Sequence, residues 1–279
     1  MQIRMMAVNL YNGRLLLVVH ALLGWNNAHL NSSELFLRGA VYWAEPDKDS
    51  RKNMTLTIII PVLNERQALP QNLQALLSDS TVQELIVIDG GSTDGTRQYL
   101  SSVKGHPKLQ VLYSAPGRGL QMNLGASVAH GDWLLFHHAD SMLPDRVGDL
   151  IDQLDEASRW GGFSHQFDPG NWKLRLVSAL HNWRCKKTGV IYGDQSMFVR
   201  RELFQCVGGF VEEGLEDLVF SDRALEHAPS KLISAKVKTS SRKFIQIGEF
   251  RALLQVLSII WRYQRATEVG HAGFFQPYR

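Results

Sequence analysis

Carboxylates, histidines and one glycine-flanked arginine recur along this chain where apolar runs give way to polar residues. Asp89 follows Leu85-Ile86-Val87-Ile88 and precedes Gly90-Gly91-Ser92-Thr93-Asp94-Gly95. Such an apolar run can cross the middle of a parallel sheet, whose ligands bind at the carboxyl ends of the strands. The pattern outlines a nucleotide pocket with Asp89 on its edge. Asn64-Glu65 closes an earlier run in the same way. Glu65 and Asp89 suit acceptance of hydrogen bonds from ring N–H groups and ribose hydroxyls, and a helix-start carboxylate is the alternative role for Glu65. Arg118 lies between Gly117 and Gly119 ahead of a helical stretch, where backbone N–H groups and a guanidinium can meet phosphate together. A solvated loop arginine is the plainer reading. Further along come His137-His138-Ala139-Asp140, Gly193-Asp194-Gln195 and Glu216-Asp217.

The elements that must hold these residues follow from hydrophobic periodicity. From residue 55 onward, strand-length apolar runs alternate with helical spacing, which predicts strand-helix units and an α/β sheet. Strands are expected at Leu56–Val62, at 85–88, at Leu109–Tyr113 and at Trp133–Phe136. Helices are expected over Leu69 to Leu77, from about Thr93 with Asp94 in its first turn, and over Leu120 to Ala129. Beyond Pro144 the spacing predicts a polar helix to Ala157, a strand near Phe163 to Phe167, a helix over Trp172 to Lys186, a strand at 196–199, and a helix from Glu216. No internal repeat or low-complexity linker interrupts this stretch.

With 279 residues, 44% of them hydrophobic, the chain can bury a substantial core. The net charge of +3 is spread out, so nucleic acid is not an expected partner. Cys185 and Cys206 are far apart and form no zinc or disulfide array, which fits a reducing cytoplasm. The apolar run Leu15 to Trp25 would reach only about 16 Å as a helix, against a hydrocarbon core of about 30 Å. Residues 1–53 read as an extension that is non-native or poorly ordered, with Met54 as a natural start. Residues 246–279 read as a helical tail, apolar between Glu249 and Tyr263, which allows peripheral contact with the inner face of a membrane or a homo-oligomer.

Taken in order, Ile60-Pro61-Val62-Leu63-Asn64-Glu65, the Asp89 to Thr96 turn, Gly117-Arg118-Gly119-x-Gln121-Met122-Asn123-x-Gly125, His138-Ala139-Asp140, Gly193-Asp194-Gln195 and Glu216-Asp217 resemble family-2 glycosyltransferases of the GT-A fold. The short bacterial subgroup described as radical-SAM/selenodomain-associated transferase 2 is the most similar. The resemblance covers about residues 55 to 245 and implies a catalytic domain over 54–245 with a three-layer α/β/α mixed sheet. It also implies that Pro61, Asn64, Glu65 and Asp89 hold the nucleoside of a sugar-nucleotide donor, with Ser92 and Asp94 shaping the turn. Arg118 and Asn123 would face the donor, and Asp194 and Gln195 would read sugar hydroxyls. The family's Asp-x-Asp is here His138-Ala139-Asp140, which leaves Asp140 with His138 to hold Mg²⁺ or Mn²⁺. Asp217, with Glu216 beside it, would be the general base of an inverting transfer to an acceptor hydroxyl, lipid or carotenoid-like or a soluble small molecule.

A Gln-x-x-Arg-Trp segment common in the family is missing, which argues against processive synthesis. A sugar-nucleotide nucleotidyltransferase would carry its glycine loop after the first strand, where this chain has Pro61 to Glu65. No Gly-x-Gly-x-x-Gly follows a strand, which disfavours a dinucleotide oxidoreductase. A nucleotide-sugar binding protein without activity is the non-enzyme alternative, supported by His138 at a carboxylate position.

Overall fold

The computed structural model describes residues 8–11, 14–17, 54–212 and 214–241. The chain divides into two units, Met1–Ser50 and Arg51–Arg279. In the first, β1 (Val8–Tyr11) and β2 (Arg14–Leu17) form an antiparallel hairpin, so the start of the apolar run at Leu15 is strand rather than helix. The expected tail helix over Glu249 to Tyr263 lies outside the described residues.

The second unit alternates strand and helix as the periodicity predicts. β3 (Leu56–Val62), α1 (Leu69–Ser78), β4 (Glu84–Asp89), α2 (Thr96–Val103), β5 (Leu109–Tyr113), α3 (Arg118–Val128) and β6 (Trp133–Phe136) come first. Then follow β7 (Ser141–Met142), α4 (Val147–Asp152), β8 (Trp160–Asp168), α5 (Trp172–Thr188), a 3₁₀ turn at Gly193–Gln195, β9 (Phe198–Arg200), α6 (Arg201–Val207), α7 (Glu216–Leu225) and β10 (Lys231–Ser240). The strands form one sheet in the order β5-β4-β3-β6-β9-β8-β10-β7. β3, β4, β5 and β6 are parallel, and β9 and β7 run against their neighbours. The sheet is therefore mixed.

Alternation along the strands splits the core in two. Ile58, Ile60, Val62, Leu85 and Val87 pack with α1, α2 and α4, through Leu69, Leu73, Leu100 and Val147. On the other face, Ile59, Ile86, Ile88 and Leu134 pack with α3, α6 and α7, through Met122, Leu203 and Phe220. Helices on both faces of one sheet give three layers. Gly125 allows the close approach of α3, because a β-carbon there would lie 2.5 Å from Ile59 Cγ2.

The chain leaves β3 for β4 and β5 on one side, then returns to β6 on the other. The direction reverses at β3, and a crevice opens at the carboxyl ends of the strands there. β6 stops opposite Ile59 while β3 runs on to Val62. Pro61 stands beyond the last β6 pair, where its missing N–H removes no ladder bond on that side.

Some expected boundaries shift. α2 begins at Thr96 rather than Thr93, because Asp94 turns back to accept from Thr96 N and Oγ. α4 is shorter than expected and starts after Arg146 at φ 53°. α6 and β10 were not expected. Lysines at 231, 236 and 238 mask β10, whose one fully buried side chain is Val237.

Phe136, Phe204, Phe210 and Phe220 form an aromatic cluster, with Phe136 to Phe210 at 4.7 Å and Phe210 to Phe220 at 4.9 Å between ring centroids. This cluster fastens α7 to the end of β6 and to the turn at Phe210. Phe220 is fully buried, so Phe220→Ala is expected to lower stability by about 3–5 kcal/mol, read from urea unfolding.

Candidate functional site

Two turns at the carboxyl edge are laced together by side chains. Asn64, at φ 57°, accepts from Thr93 N through Oδ1 at 2.8 Å, and its own N–H donates to Ser92 Oγ at 2.8 Å. Glu65 N donates to Thr96 Oγ, and Arg66 N donates to Asp94 Oδ2. Ser92 and Asp94 thus shape the turn, and Asn64 ties it to the loop after β3. Glu65 is half-buried, and its carbonyl accepts from Leu69 N at the start of α1.

Asp89 is fully buried, and its Oδ2 accepts from Arg97 Nε at 2.7 Å. Both carboxylate oxygens also accept from Ser92 N. Burial pushes the Asp89 pKa up, but Ser92 and Arg97 outweigh it and hold the carboxyl below its ordinary range. Arg97 also lies over the Tyr113 ring, 5.0 Å from its centroid. Sequence reading missed Arg97, whose only signal is its place in the first turn of the helix after Asp89.

Past the end of β6, His137 and His138 take different roles. His137 is fully buried, with Nδ1 2.8 Å from Ser196 Oγ and Nε2 2.9 Å from Ser141 O. Nε2 also lies 3.0 Å from Asn72 Nδ2, so the ring is held between a serine hydroxyl, a carbonyl and an amide. Burial lowers its pKa to about 4. His137 is a brace. His138 is half-buried and its pKa falls to about 3, first through burial and then through Arg118.

Arg118, His138, Gly193, Glu216 and Asp217 line one small pocket. Arg118 opens α3 and reaches Glu216 Oε1 at 3.4 Å. Asp217 Oδ2 accepts from Gly193 N at 2.8 Å, and Oδ1 accepts from Leu218 N at 2.9 Å. Burial raises the Asp217 pKa, against the Gly193 amide and the Arg118 charge. Burial and neighbouring Asp217 raise that of Glu216. Gly193 is required by contact, since a β-carbon there would lie 2.9 Å from His138 Nε2 and 3.5 Å from Asp217 Oδ2. A larger cavity of about 440 Å³ opens at the amino edge of the sheet, lined by Thr55, Glu84, Lys108 and His130. It is remote from these groups, and ligands of such sheets bind at the other edge.

Two residues expected to face the donor make hydrogen bonds within the domain. Gln195 is fully buried, with Oε1 accepting from Tyr192 N at 3.1 Å, which closes the 3₁₀ turn. Asn123 donates to Phe210 O at 2.8 Å and accepts from Phe210 N at 2.9 Å, clasping α3 to that turn. Asp194 stays partly open at 35% exposure, with His181 Nε2 at 3.3 Å and His165 Nε2 at 3.8 Å. Despite burial, which pushes it up, His181 and His165 hold the Asp194 carboxyl well below the usual range. Neither histidine stood out in the sequence, because each lies inside a secondary-structure element.

Among the described residues, no group of three or more His, Cys, Asp or Glu is arranged to hold a metal ion. Asp140 and His138 offer one carboxylate and one imidazole kept neutral by burial. That donor set suits an ion whose other ligands are waters and phosphate oxygens.

The depressed pKa of Asp89 sets a pH test. Its stabilisation is fully present above the unfolded value of about 3.9 and is lost as pH falls through the lower folded value. Arg97→Ala is expected to cost at most about 1 kcal/mol at neutral pH, since Arg97 is half-exposed. The gap should narrow in acid, as measured by urea unfolding at about pH 7 and about pH 3.

Known proteins share stretches of this sequence and this fold. The glycosyl transferase family 2 model matches residues 57–208. A PGL/p-HBAD biosynthesis glycosyltransferase of Mycobacterium bovis is 31% identical over 171 residues, which cover 55% of this chain and 62% of that protein. The match thus spans less than two thirds of that relative's length. S. aureus TarS 1-349 in complex with UDP aligns with a TM-score of 0.55 at 20% identity, covering 67% of this chain and 60% of that one. The mannosyltransferase PcManGT of Pyrobaculum calidifontis, in complex with GDP-Man and Mn²⁺, gives 0.54 at 20% identity, covering 67% and 56%. The three-layer mixed sheet is the GT-A fold, and with the family model matching more than half of its residues the chain belongs to glycosyltransferase family 2.

Proposed function

We propose that this protein transfers a sugar from a nucleotide-diphosphate donor to an acceptor hydroxyl with inversion at the anomeric carbon. The observation that carries the reading is Asp217, a carboxylate of raised pKa that shares one pocket with Arg118 and His138 at the carboxyl edge of the sheet. The complexes of TarS with UDP and of PcManGT with GDP-Man and Mn²⁺ support a donor of this class.

In this reading the nucleoside lies along Pro61, Asn64, Glu65 and Asp89, and Arg118 meets the diphosphate. The fixed positive charge of Arg118 is available there because its bond to Glu216 is long, at 3.4 Å, and half-exposed. Asp140 and His138 would hold Mg²⁺ or Mn²⁺, which when bound neutralises the departing diphosphate. Asp217 accepts the proton of the attacking hydroxyl. Its two amide hydrogen bonds fix the carboxylate's direction, and its raised pKa makes it a stronger base than an ordinary aspartate. Asp194, beside Gly193, would read sugar hydroxyls in this reading. Residues 54–245 form the catalytic domain, and the acceptor is lipid or carotenoid-like, or a soluble small molecule. His138 at a carboxylate position favours one second reading, a binding protein without turnover.

Incubation with a panel of nucleotide sugars and Mn²⁺, following donor hydrolysis, separates the two. Asp217→Asn is expected to cut hydrolysis by about 10²–10⁴-fold with donor binding kept. Activity should fall on the acid side at a pH above the ordinary aspartate value of about 3.9, as Asp217 takes up its proton. Unchanged hydrolysis in that variant would sink the base assignment, and heat protection without turnover in the wild type would favour the binding protein. Asp140→Ala is expected to abolish the dependence of donor binding on Mn²⁺, measured by calorimetry with and without the ion.

A further inference from the structure

α5 has two unlike sides. Leu174, Ser178 and Cys185 are buried in the domain, and His181 reaches Asp194 from that side. At about 100° per residue, Trp172, Leu176, Leu180 and Trp183 fall within one quarter-turn on the opposite side. Their exposures are 72%, 53%, 54% and 60%. They are four of the six exposed large hydrophobics among the described residues, so the apolar surface is concentrated here.

The same helix carries Lys173, Arg175, Arg184, Lys186 and Lys187 and no acidic residue. Arg175 and Lys186 border the stripe along one edge and Lys173 along the other, while Lys187 follows Trp183 by one turn. We propose that this face of α5 docks on a lipid bilayer surface rich in anionic head groups. A narrow apolar stripe with tryptophan at each end and basic borders is the composition of a helix that lies in the membrane interface. Lysine and arginine stems can lie along the apolar stripe while their charges reach head groups. A second copy packed face to face would set basic residues against basic residues, so the charge favours lipid over a symmetric dimer. Docking in this way keeps the Asp194 side of α5 turned into the domain. The proposal stands on this face alone and does not need the transfer reading.

Co-sedimentation of the full 279-residue chain with vesicles tests it. The wild type is expected to bind phosphatidylcholine mixed with phosphatidylglycerol at least about tenfold better than phosphatidylcholine alone. Leu176→Ser with Leu180→Ser, and separately Lys186→Glu with Lys187→Glu, are each expected to reduce that binding about tenfold with thermal unfolding unchanged. A wild type that ignores the mixed vesicles overturns the proposal. So does undiminished binding by both variants, which places the contact elsewhere in the chain. A wild-type dimer in light scattering that the leucine variant turns into monomer also overturns it, because a second copy then covers the face.

Discussion

At the buried carboxyl edge of the sheet, where strands stop at different heights, the crevice depends on side chains that reach in to bond the main-chain carbonyls of the strand ends. A buried carbonyl left unpaired costs about 1–3 kcal/mol. Gln121 Nε2 donates to Val62 O and Ile88 O, at the ends of β3 and β4. Asn72 Nδ2 donates to His138 O and Ala139 O past the end of β6. His137 Nε2 lies 2.9 Å from Ser141 O, and burial lowers the ring's pKa and keeps it neutral as a brace. Gly90 N also donates to Val62 O and Ser141 N to His138 O, so Gln121 and Asn72 add to main-chain bonds and tie α3 and α1 to the strand ends at the crevice.

The same low-dielectric setting drives the titratable groups of the pocket in opposite directions. Glu216 and Asp217 are pushed up by burial, and His138 is pushed down by burial and Arg118. Asp194, next to Gly193 of the pocket lining, is held down by His181 and His165 against burial. The chain thereby keeps a neutral imidazole and a basic carboxylate side by side near neutral pH. Carboxylates whose surroundings separate their pKa values can divide acid, base and charge-balancing roles among themselves.

Much of the frame was legible in the sequence because it depends on local pattern. β3, β5 and β6 begin and end where the apolar runs at Leu56–Val62, Leu109–Tyr113 and Trp133–Phe136 do. β10 was not legible, since its alternating lysines leave one fully buried side chain in ten residues. For the site, residue types were legible and partners were not. Asn123 and Gln195 both carry amides suited to a ligand, yet Phe210 claims the first from 87 residues away and the 3₁₀ turn encloses the second. Arg97 escaped notice for the converse reason, because only the fold turns the first turn of α2 onto Asp89. Glu216 and Asp217 were easier, since a helix start displays both on one pocket wall.

The Asn123 clasp also limits how the molecule can move. Two hydrogen bonds join α3 to Phe210, and a β-carbon at Gly119 would lie 2.0 Å from Val211 O, so α3 and this segment touch backbone to backbone. The aromatic cluster extends the junction to α7 through Phe220. Arg118 and Asp217 therefore ride on helices fastened to each other through Phe210 and Phe220. Folding joins the backbones that carry the guanidinium and the carboxylate before a ligand arrives.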